Sequence, residues 1–312
     1  MKLIIQIPCY NEEVALPVTL SKLPTHIDGI DEIEVLISDD GSTDRTIEIA
    51  KEYGVKYIVT TTHHRGLART FTAGIQRALA EGADIIVNTD ADNQYNADDI
   101  EKIVRPILEK KADIVIGARP IRQIKTFSPL KKFLQFFGSK VVRLLSATAT
   151  EDAPSGFRAF SKDAALSINV FDNYTYTIET VIQSKTKGLH IISVPIRVND
   201  SYRKSRLVKN IFQYIQRNSF TILRMFIIYR PFRFFAIIGG SIFLIGLSLL
   251  ARFIFLYILD EGNGHIQSLI ISSMLVITGF QTFLFGILAD LLAINRKLIE
   301  DVQVRTKKLE NK

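Results

Sequence analysis

The sequence predicts an α/β protein: a mostly parallel sheet with helices on both faces, followed by C-terminal interfacial helices and two transmembrane helices. Three observations carry that prediction. Short β-branched runs alternate with helical patterns over the first two hundred residues, polar side chains gather directly after each run, and two long C-terminal stretches carry no charge.

The strands come first. "KLIIQI", "IEVLISD", "VKYIVT", "DIIVNTD" and "DIVIGA" read as five strands, separated by amphipathic or mixed segments around 13–23, 43–53, 66–81 and 97–110. In such sheets ligands bind at the carboxyl ends of the strands. Those ends are followed by "PCYNEE", "DDGSTD", "HHRG", "DADNQ" and "ARPIR". Helix capping by Ser42 or Asp44, or by Asn11 with Glu12 or Glu13, accounts for any one motif. It does not account for acids, amides and arginines at every strand end.

Beyond "SGFRAF" the pattern gives a helix near 175–187 and a strand in "LHIISVPIRV". A helical period then places Val208, Ile211, Phe212, Ile215, Ser219, Ile222, Leu223 and Phe226 on one face, with Lys209, Gln213, Arg217 and Arg224 on another. An apolar face opposite a basic one is the pattern of a helix lying in a membrane interface.

The chain has 312 residues, 47 % of them hydrophobic, and a net charge of +7. Its basic excess is regional, since Arg197–Arg233 holds nine lysines or arginines and a single acid, Asp200. Phe234–Ala251 and Ile266–Ala289 are uncharged, each long enough to cross about 30 Å of hydrocarbon at about 1.5 Å per residue. Arg230 and Arg233 precede the first run; Arg296, Lys297, Arg305, Lys307 and Lys308 follow the second; "LDEGNGHIQ" between them lacks Lys and Arg. The expectation is a multi-pass protein of the cytoplasmic membrane with both termini in the cytosol.

Four segments result: a soluble domain at 1–205, an amphipathic juxtamembrane helix at 206–232, a transmembrane hairpin at 233–294 and a basic tail at 295–312. The apolar part of "MKLIIQIPCYNEE" is too short for a signal peptide and meets Glu12 and Glu13 at once. A lone cysteine, Cys9, excludes an internal disulfide framework. The basic stretch abuts a span instead of forming a free face, which disfavours nucleic acid as a partner.

"IIVNTDADNQYN", 85–96, ends a buried run on Asp90, Asp92 and Gln94. Unpaired carboxylates repel one another and are costly to bury. A shared Mg²⁺ or Mn²⁺, which favours oxygen ligands and commonly also holds substrate phosphates, offsets that repulsion. Solvated acids on a surface turn are the other reading of the same three residues.

Taken together, "IPCYNEE", "SDDGSTD", "HRGLARTFTAG", "DADNQ", "GAR" and "SGFR" resemble family 2 glycosyltransferases of the GT-A (Rossmann-like) fold. The closer likeness is to the dolichol-phosphate mannose synthase and polyprenyl-phosphate glucosyltransferase group, some of whose members carry a helical membrane hairpin. It covers roughly residues 3–210. The resemblance implies that 1–205 is a cytosolic catalytic domain and that Pro8, Tyr10, Asn11, Glu12, Asp39 and Asp40 line a nucleotide-sugar site with Asp90 and Ala91. It implies Asp90, Asp92 and Gln94 as the metal and diphosphate group, Arg119 and Arg158 as phosphate-binding arginines, and Asp152 as an acid at the position of a catalytic base. In "YRKSRL", Arg203, Ser205 and Arg206 fall on a later basic motif assigned to the acceptor phosphate, with Lys204 where a glycine is common. His63 and His64, paired on a loop, read as solvent-facing.

The activity so implied is transfer of a sugar, a hexose by expectation, from a UDP- or GDP-linked donor to a polyprenyl phosphate, with inversion and with Mg²⁺ or Mn²⁺. The family also offers homo-oligomers. A processive polysaccharide synthase would carry a Q-x-x-R-W motif, and this chain has no Trp. A saccharide or glycolipid acceptor, or a non-catalytic module binding nucleotide sugar or lipid, are the rival readings.

Overall fold

The computed structural model describes residues 1–120, 150–170, 176–199, 220, 223–224, 226–259 and 266–310. Seven strands form one sheet: β1 (Lys2–Cys9), β2 (Glu32–Asp39), β3 (Tyr57–Thr60), β4 (Ile85–Asn88), β5 (Ile114–Ala118), β6 (Arg158–Ser161) and β7 (Ile191–Pro195). Their order is β3-β2-β1-β4-β6-β5-β7. All neighbours run parallel except β6, which is antiparallel to both β4 and β5.

The central strands are buried on both faces. Leu3, Ile4, Ile5 and Ile7 of β1 are all buried, which is why that strand reads as a continuous apolar run without alternation. β6 is the strand the sequence pattern leaves out. Its residues, Arg-Ala-Phe-Ser, include no β-branched side chain, and no local signal announces an antiparallel partner. Its direction matters, because Asn88 at the end of β4 lies opposite Arg158 at the start of β6. The chain leading into β6 therefore joins the site from the same edge.

Helices α1 (Leu16–Ser21), α2 (Thr46–Glu52), α3 (Leu67–Ala80), α4 (Ile100–Leu108), α5 (Lys162–Ser167) and α6 (Thr177–Thr186) accompany the sheet. α4 follows a short 3₁₀ turn, Ala97–Asp99, where the Asn96 side chain accepts from Asp98 N at 3.0 Å. α3 lies close on β1 and β2 through Gly74, where a Cβ would come within 2.6 Å of the Gln6 side chain. On the opposite face Ile100, Ile103 and Val104 of α4 join Leu3, Ile5, Val87 and Val115 in one core. Order reverses between β2 and β4, either side of β1, so the crevice past Cys9 and Asn88 is the switch point of this sheet.

Residues Met1–Ile222 with Val304–Lys312 form one compact unit and Leu223–Gln303 a second. The second contains α7 (Pro231–Ile258) and most of α8 (Ile266–Glu310), two helices long and apolar enough to cross a membrane. Within it a Cβ at Gly239 would lie 2.8 Å from Gly279 O, and one at Gly246 would lie 2.7 Å from Val276 N. Glycine at these points lets the two backbones touch, a packing mode suited to helices in lipid. α8 continues without a break past 294, so the stretch read as a basic tail extends the second long helix. Of the juxtamembrane helix expected at 206–232, residues 206–219, 221–222 and 225 lie outside the described residues, while Phe226–Tyr229 are helical.

Candidate active site

The first wall of the crevice is built by backbone-directed side chains. Asn11 turns the chain out of β1 with φ 53°, a left-handed conformation that Asn tolerates. Its N–H donates to Ser42 Oγ at 2.9 Å and its Oδ1 accepts from Thr43 N at 2.8 Å, stitching the first loop to the second. Glu12 N donates to Thr46 Oγ1 at 2.8 Å. Pro8 is the penultimate residue of β1, and Cys9 beside it is buried, which pushes its thiol well above the ordinary range and leaves it inert.

Asp39 and Asp40 are buried and fully engaged. Asp39 accepts from Gly41 N (3.1 Å), Ser42 N (3.1 Å) and Thr60 Oγ1 (2.9 Å), which shapes the turn after β2. Asp40 accepts from Arg65 N (2.7 Å) and Gly66 N (2.9 Å), the entry to α3, and from His64 Nδ1 at 2.8 Å. Its carboxylate thus holds the loop that leads into α3. His64 is solvent-facing as expected, its side chain 56 % exposed, and its ring also stacks on Tyr10 with centroids 4.2 Å apart.

The acid turn follows β4. Asp90, Asp92 and Gln94 are half-buried and Ala91 is buried. Asp92 Oδ1 accepts from Gln94 N at 3.1 Å, Ala91 O accepts from Thr19 Oγ1 at 2.8 Å, and Asn93 sits at φ 54°. Asn199, which the sequence did not single out, clasps the turn from β7's side: its Nδ2 donates to Asn93 O at 3.0 Å, and its N–H donates to Gln94 O at 2.8 Å. Burial, and next the neighbouring charge of Asp92, push the Asp90 carboxyl up to about 7. Among the described residues no three or more His, Cys, Asp or Glu gather as a metal cage. Two carboxylates beside an amide are an incomplete set of hard oxygen donors, of the kind that a divalent cation completes with water or substrate oxygens.

Arg119, just past β5, is near enough to Asp90 for its charge to favour that carboxylate. Its Nε donates to Asp152 Oδ2 at 2.6 Å, its Nη2 to Asp152 Oδ1 at 3.0 Å, and its N–H to Asp152 Oδ2 at 3.2 Å. Both side chains are buried, at 9 % and 1 % exposure. Burial alone would lower the Arg119 guanidinium, but Asp152 outweighs it and holds the group above its usual range. Asp152 is thus a bidentate partner of an arginine, with both oxygens engaged.

Arg158, expected from the resemblance among the phosphate-binding arginines, is fully buried. Its Nε donates to Ser155 O at 2.8 Å, its Nη2 to Ala153 O at 2.6 Å, and its Nη1 to Thr180 Oγ1. Burial pushes its guanidinium down to about 10. Its fork therefore organises the loop that carries Asp152. Arg203, Ser205 and Arg206 lie outside the described residues.

Asn88, Tyr95, Gly156 and Tyr176 complete the floor, and sequence reasoning named none of them as functional. Asn88 Nδ2 donates to Gly156 O and to Tyr176 Oη, both at 2.8 Å. Tyr95 is next to Gln94, but an aromatic residue after a strand reads as core; Tyr176 is far away in sequence and had no signal at all.

A doubly wound sheet with an acid turn at its switch point and a buried arginine–carboxylate pair across from it defines an enzyme of the GT-A class. Residues 4–167 match the glycosyl transferase family 2 domain, and the chain belongs to that family. It is a glycosyltransferase. It is 33 % identical over 213 residues, 61 % of this chain and 83 % of the relative, to the UDP-N-acetylglucosamine–dolichyl-phosphate N-acetylglucosaminyltransferase of Methanococcus voltae. It is 27 % identical over 206 residues, 63 % of this chain and 83 % of the relative, to the undecaprenyl-phosphate mannosyltransferase of Micrococcus luteus. In fold it is similar to glucosyl-3-phosphoglycerate synthase from Mycobacterium tuberculosis, solved with Mn²⁺, UDP and glucosyl-3-phosphoglycerate, with TM-score 0.54, 19 % identity and coverage of 72 % of this chain and 78 % of that one.

Proposed function

We propose that the protein transfers a hexose from a UDP- or GDP-linked donor to a polyprenyl phosphate at the cytoplasmic face of a membrane, with inversion at the anomeric carbon. The observation that carries this reading is the Arg119–Asp152 pair facing the Asp90–Asp92 turn: an anchored cation opposite crowded anions serves two sets of phosphates, one on the donor and one on the acceptor. Relatives that bear polyprenyl-phosphate names, and two helices able to span a bilayer, support a lipid acceptor.

Asp90, Asp92 and Gln94 would hold Mg²⁺ or Mn²⁺, which when bound neutralises charge on the departing nucleoside diphosphate. The chain's own groups do the rest. Tyr10 offers a ring, 38 % exposed, to the nucleoside, and the Asp39 and Asp40 turns fix the loops around it. Arg119, held by Asp152, orients the acceptor phosphate. One of that phosphate's oxygens forms the new bond to the anomeric carbon as the bond to the donor diphosphate breaks, and the electron pair leaves with the diphosphate. A phosphate monoester has its second pKa near ~6 and is already an oxyanion at neutral pH, so no strong base is needed. Asp152 acts by positioning Arg119.

The test is a donor screen. Radiolabelled nucleotide sugars are incubated with the purified chain, one polyprenyl phosphate and Mg²⁺ or Mn²⁺. Label moving into an acid-labile, organic-extractable product supports the proposal; label that stays in water with every donor overturns it.

A further inference from the structure

Two rings meet above the end of β2. Tyr10 follows directly on β1 and His64 lies on the loop between β3 and α3, yet β2 separates those strands in the sheet. Neighbouring strands are about 4.8 Å apart, so the two side chains reach across roughly 10 Å of sheet to stack at 4.2 Å between centroids, with their planes 30° apart. Glycine lets the loop in: Gly41 has φ 76°, and a Cβ there would lie 3.1 Å from Thr61 O and 3.3 Å from His64 N.

The imidazole is held although it faces solvent. Its Nδ1 bonds Asp40 Oδ2 at 2.8 Å, and that buried carboxylate is itself fixed by Arg65 N and Gly66 N. A carboxylate accepts and does not donate, so Nδ1 carries the proton and the ring cannot turn without giving up the bond. Thr61 N donates to Asp39 O at 3.1 Å and Thr61 Oγ1 to His63 O at 3.0 Å, which secures the rest of the loop. An exposed side chain ordinarily keeps its rotamer freedom; one fixed in advance loses little more when a flat ligand settles on it.

We propose that His64 is a nucleoside-binding residue of the donor site, its ring joining that of Tyr10 in a surface on which the base of a nucleoside diphosphate stacks. Tyr10 alone offers a ring 38 % exposed; His64 adds a face more than half exposed, past the carboxyl ends of β1 and β3, where such sheets bind nucleotides. Stacking asks only for the flat face that every base has, so this contact supplies affinity and leaves the choice between uracil and guanine to hydrogen-bonding groups elsewhere. The inference rests on the nucleotide-sugar reading of the crevice and adds to it a residue that sequence reading left on the surface.

The experiment titrates UDP and GDP, each with Mg²⁺, into the full chain in detergent and follows binding by calorimetry. His64→Ala is expected to raise the Kd of whichever nucleotide the wild type binds by about 5- to 100-fold, the range for losing one ring under a base, with the melting temperature unchanged. His64→Phe keeps a ring but cannot bond Asp40, so it should recover most of that loss. An equal loss in both variants means that the Asp40 bond and not the ring matters, and overturns the inference; so does wild-type affinity in His64→Ala. Wild-type protein that binds neither nucleotide overturns it together with the donor reading. His64-dependent nucleotide binding without sugar transfer to any polyprenyl phosphate supports it and sinks the proposed function alone.

Discussion

Asp152→Asn separates a positioning acid from a catalytic base. The structure gives Asp152 two charge-assisted contacts to the Arg119 side chain, at 2.6 and 3.0 Å, in a corner where the two side chains are 1 % and 9 % exposed. An amide keeps one acceptor and turns an N–H toward the other guanidinium nitrogen, so about one such hydrogen bond is lost, worth about 1.5–3 kcal/mol when a charged group is involved. If that energy holds Arg119 in place for the acceptor phosphate, single-turnover transfer falls by about 10- to 100-fold, since each 1.4 kcal/mol is about tenfold. The loss should appear mainly as a raised KM for the polyprenyl phosphate, with the pH profile keeping its shape. Removal of a true general base costs about 10²–10⁴-fold in rate and removes the limb of the profile that reports its ionisation. Rapid-quench measurement of labelled glycolipid from about one unit below to about two units above the phosphate pKa near ~6 decides. A kcat loss at unchanged acceptor KM, relieved as pH rises, would refute the positioning argument.

Three further outcomes follow from the same contacts. Asp92→Ala should abolish glycolipid synthesis and weaken Mn²⁺ binding by at least about tenfold while leaving the melting temperature near wild type, because the turn is also held by Asn199; full activity in a chelator-treated preparation contradicts the metal assignment. Arg158→Met should destabilise the chain, read from thermal or denaturant unfolding, because it leaves the buried Ser155 O and Ala153 O without their donor at a cost of about 1–3 kcal/mol each; a stable variant that fails only in acceptor binding would favour the phosphate-ligand role. Burial raises the Asp99 carboxyl, but the hydrogen bonds of Arg197 and then Lys102 outweigh it and hold the group below its usual range. Its contribution is therefore present above the unfolded value near ~3.9 and is lost as pH falls through the lower folded value; the stability gap between wild type and Asp99→Asn should close in strong acid, and a gap that instead widens there would sink this reading.

Six of the seven strands were legible because each is a run of apolar, β-branched residues closed by turn chemistry. β6 was not, since Arg158–Ser161 holds no β-branched residue and antiparallel insertion depends on partners far away in the chain. The acid turn was legible for a related reason: three hard donors within five residues place themselves together whatever surrounds them. The brace on that turn was not, because Asn199, Gly156 and Tyr176 reach it only through the folded sheet.

Local order along the chain determined the βα alternation, the polar crevice at the strand ends and the two uncharged helices, because periodicity and charge are properties of neighbouring residues. Tertiary structure decided what each charge is for. Asp40 and Asp92 look alike in sequence, yet Asp40 is held by the N–H groups at the start of α3, while Asp92 stays half-buried beside Asp90. Arg119 and Arg158 are both arginines after a short run, yet one grips Asp152 at the crevice and the other is enclosed by backbone carbonyls. A charge takes its role from the partners that come within hydrogen-bonding distance, and in this sheet those partners arrive from strands and loops tens of residues apart.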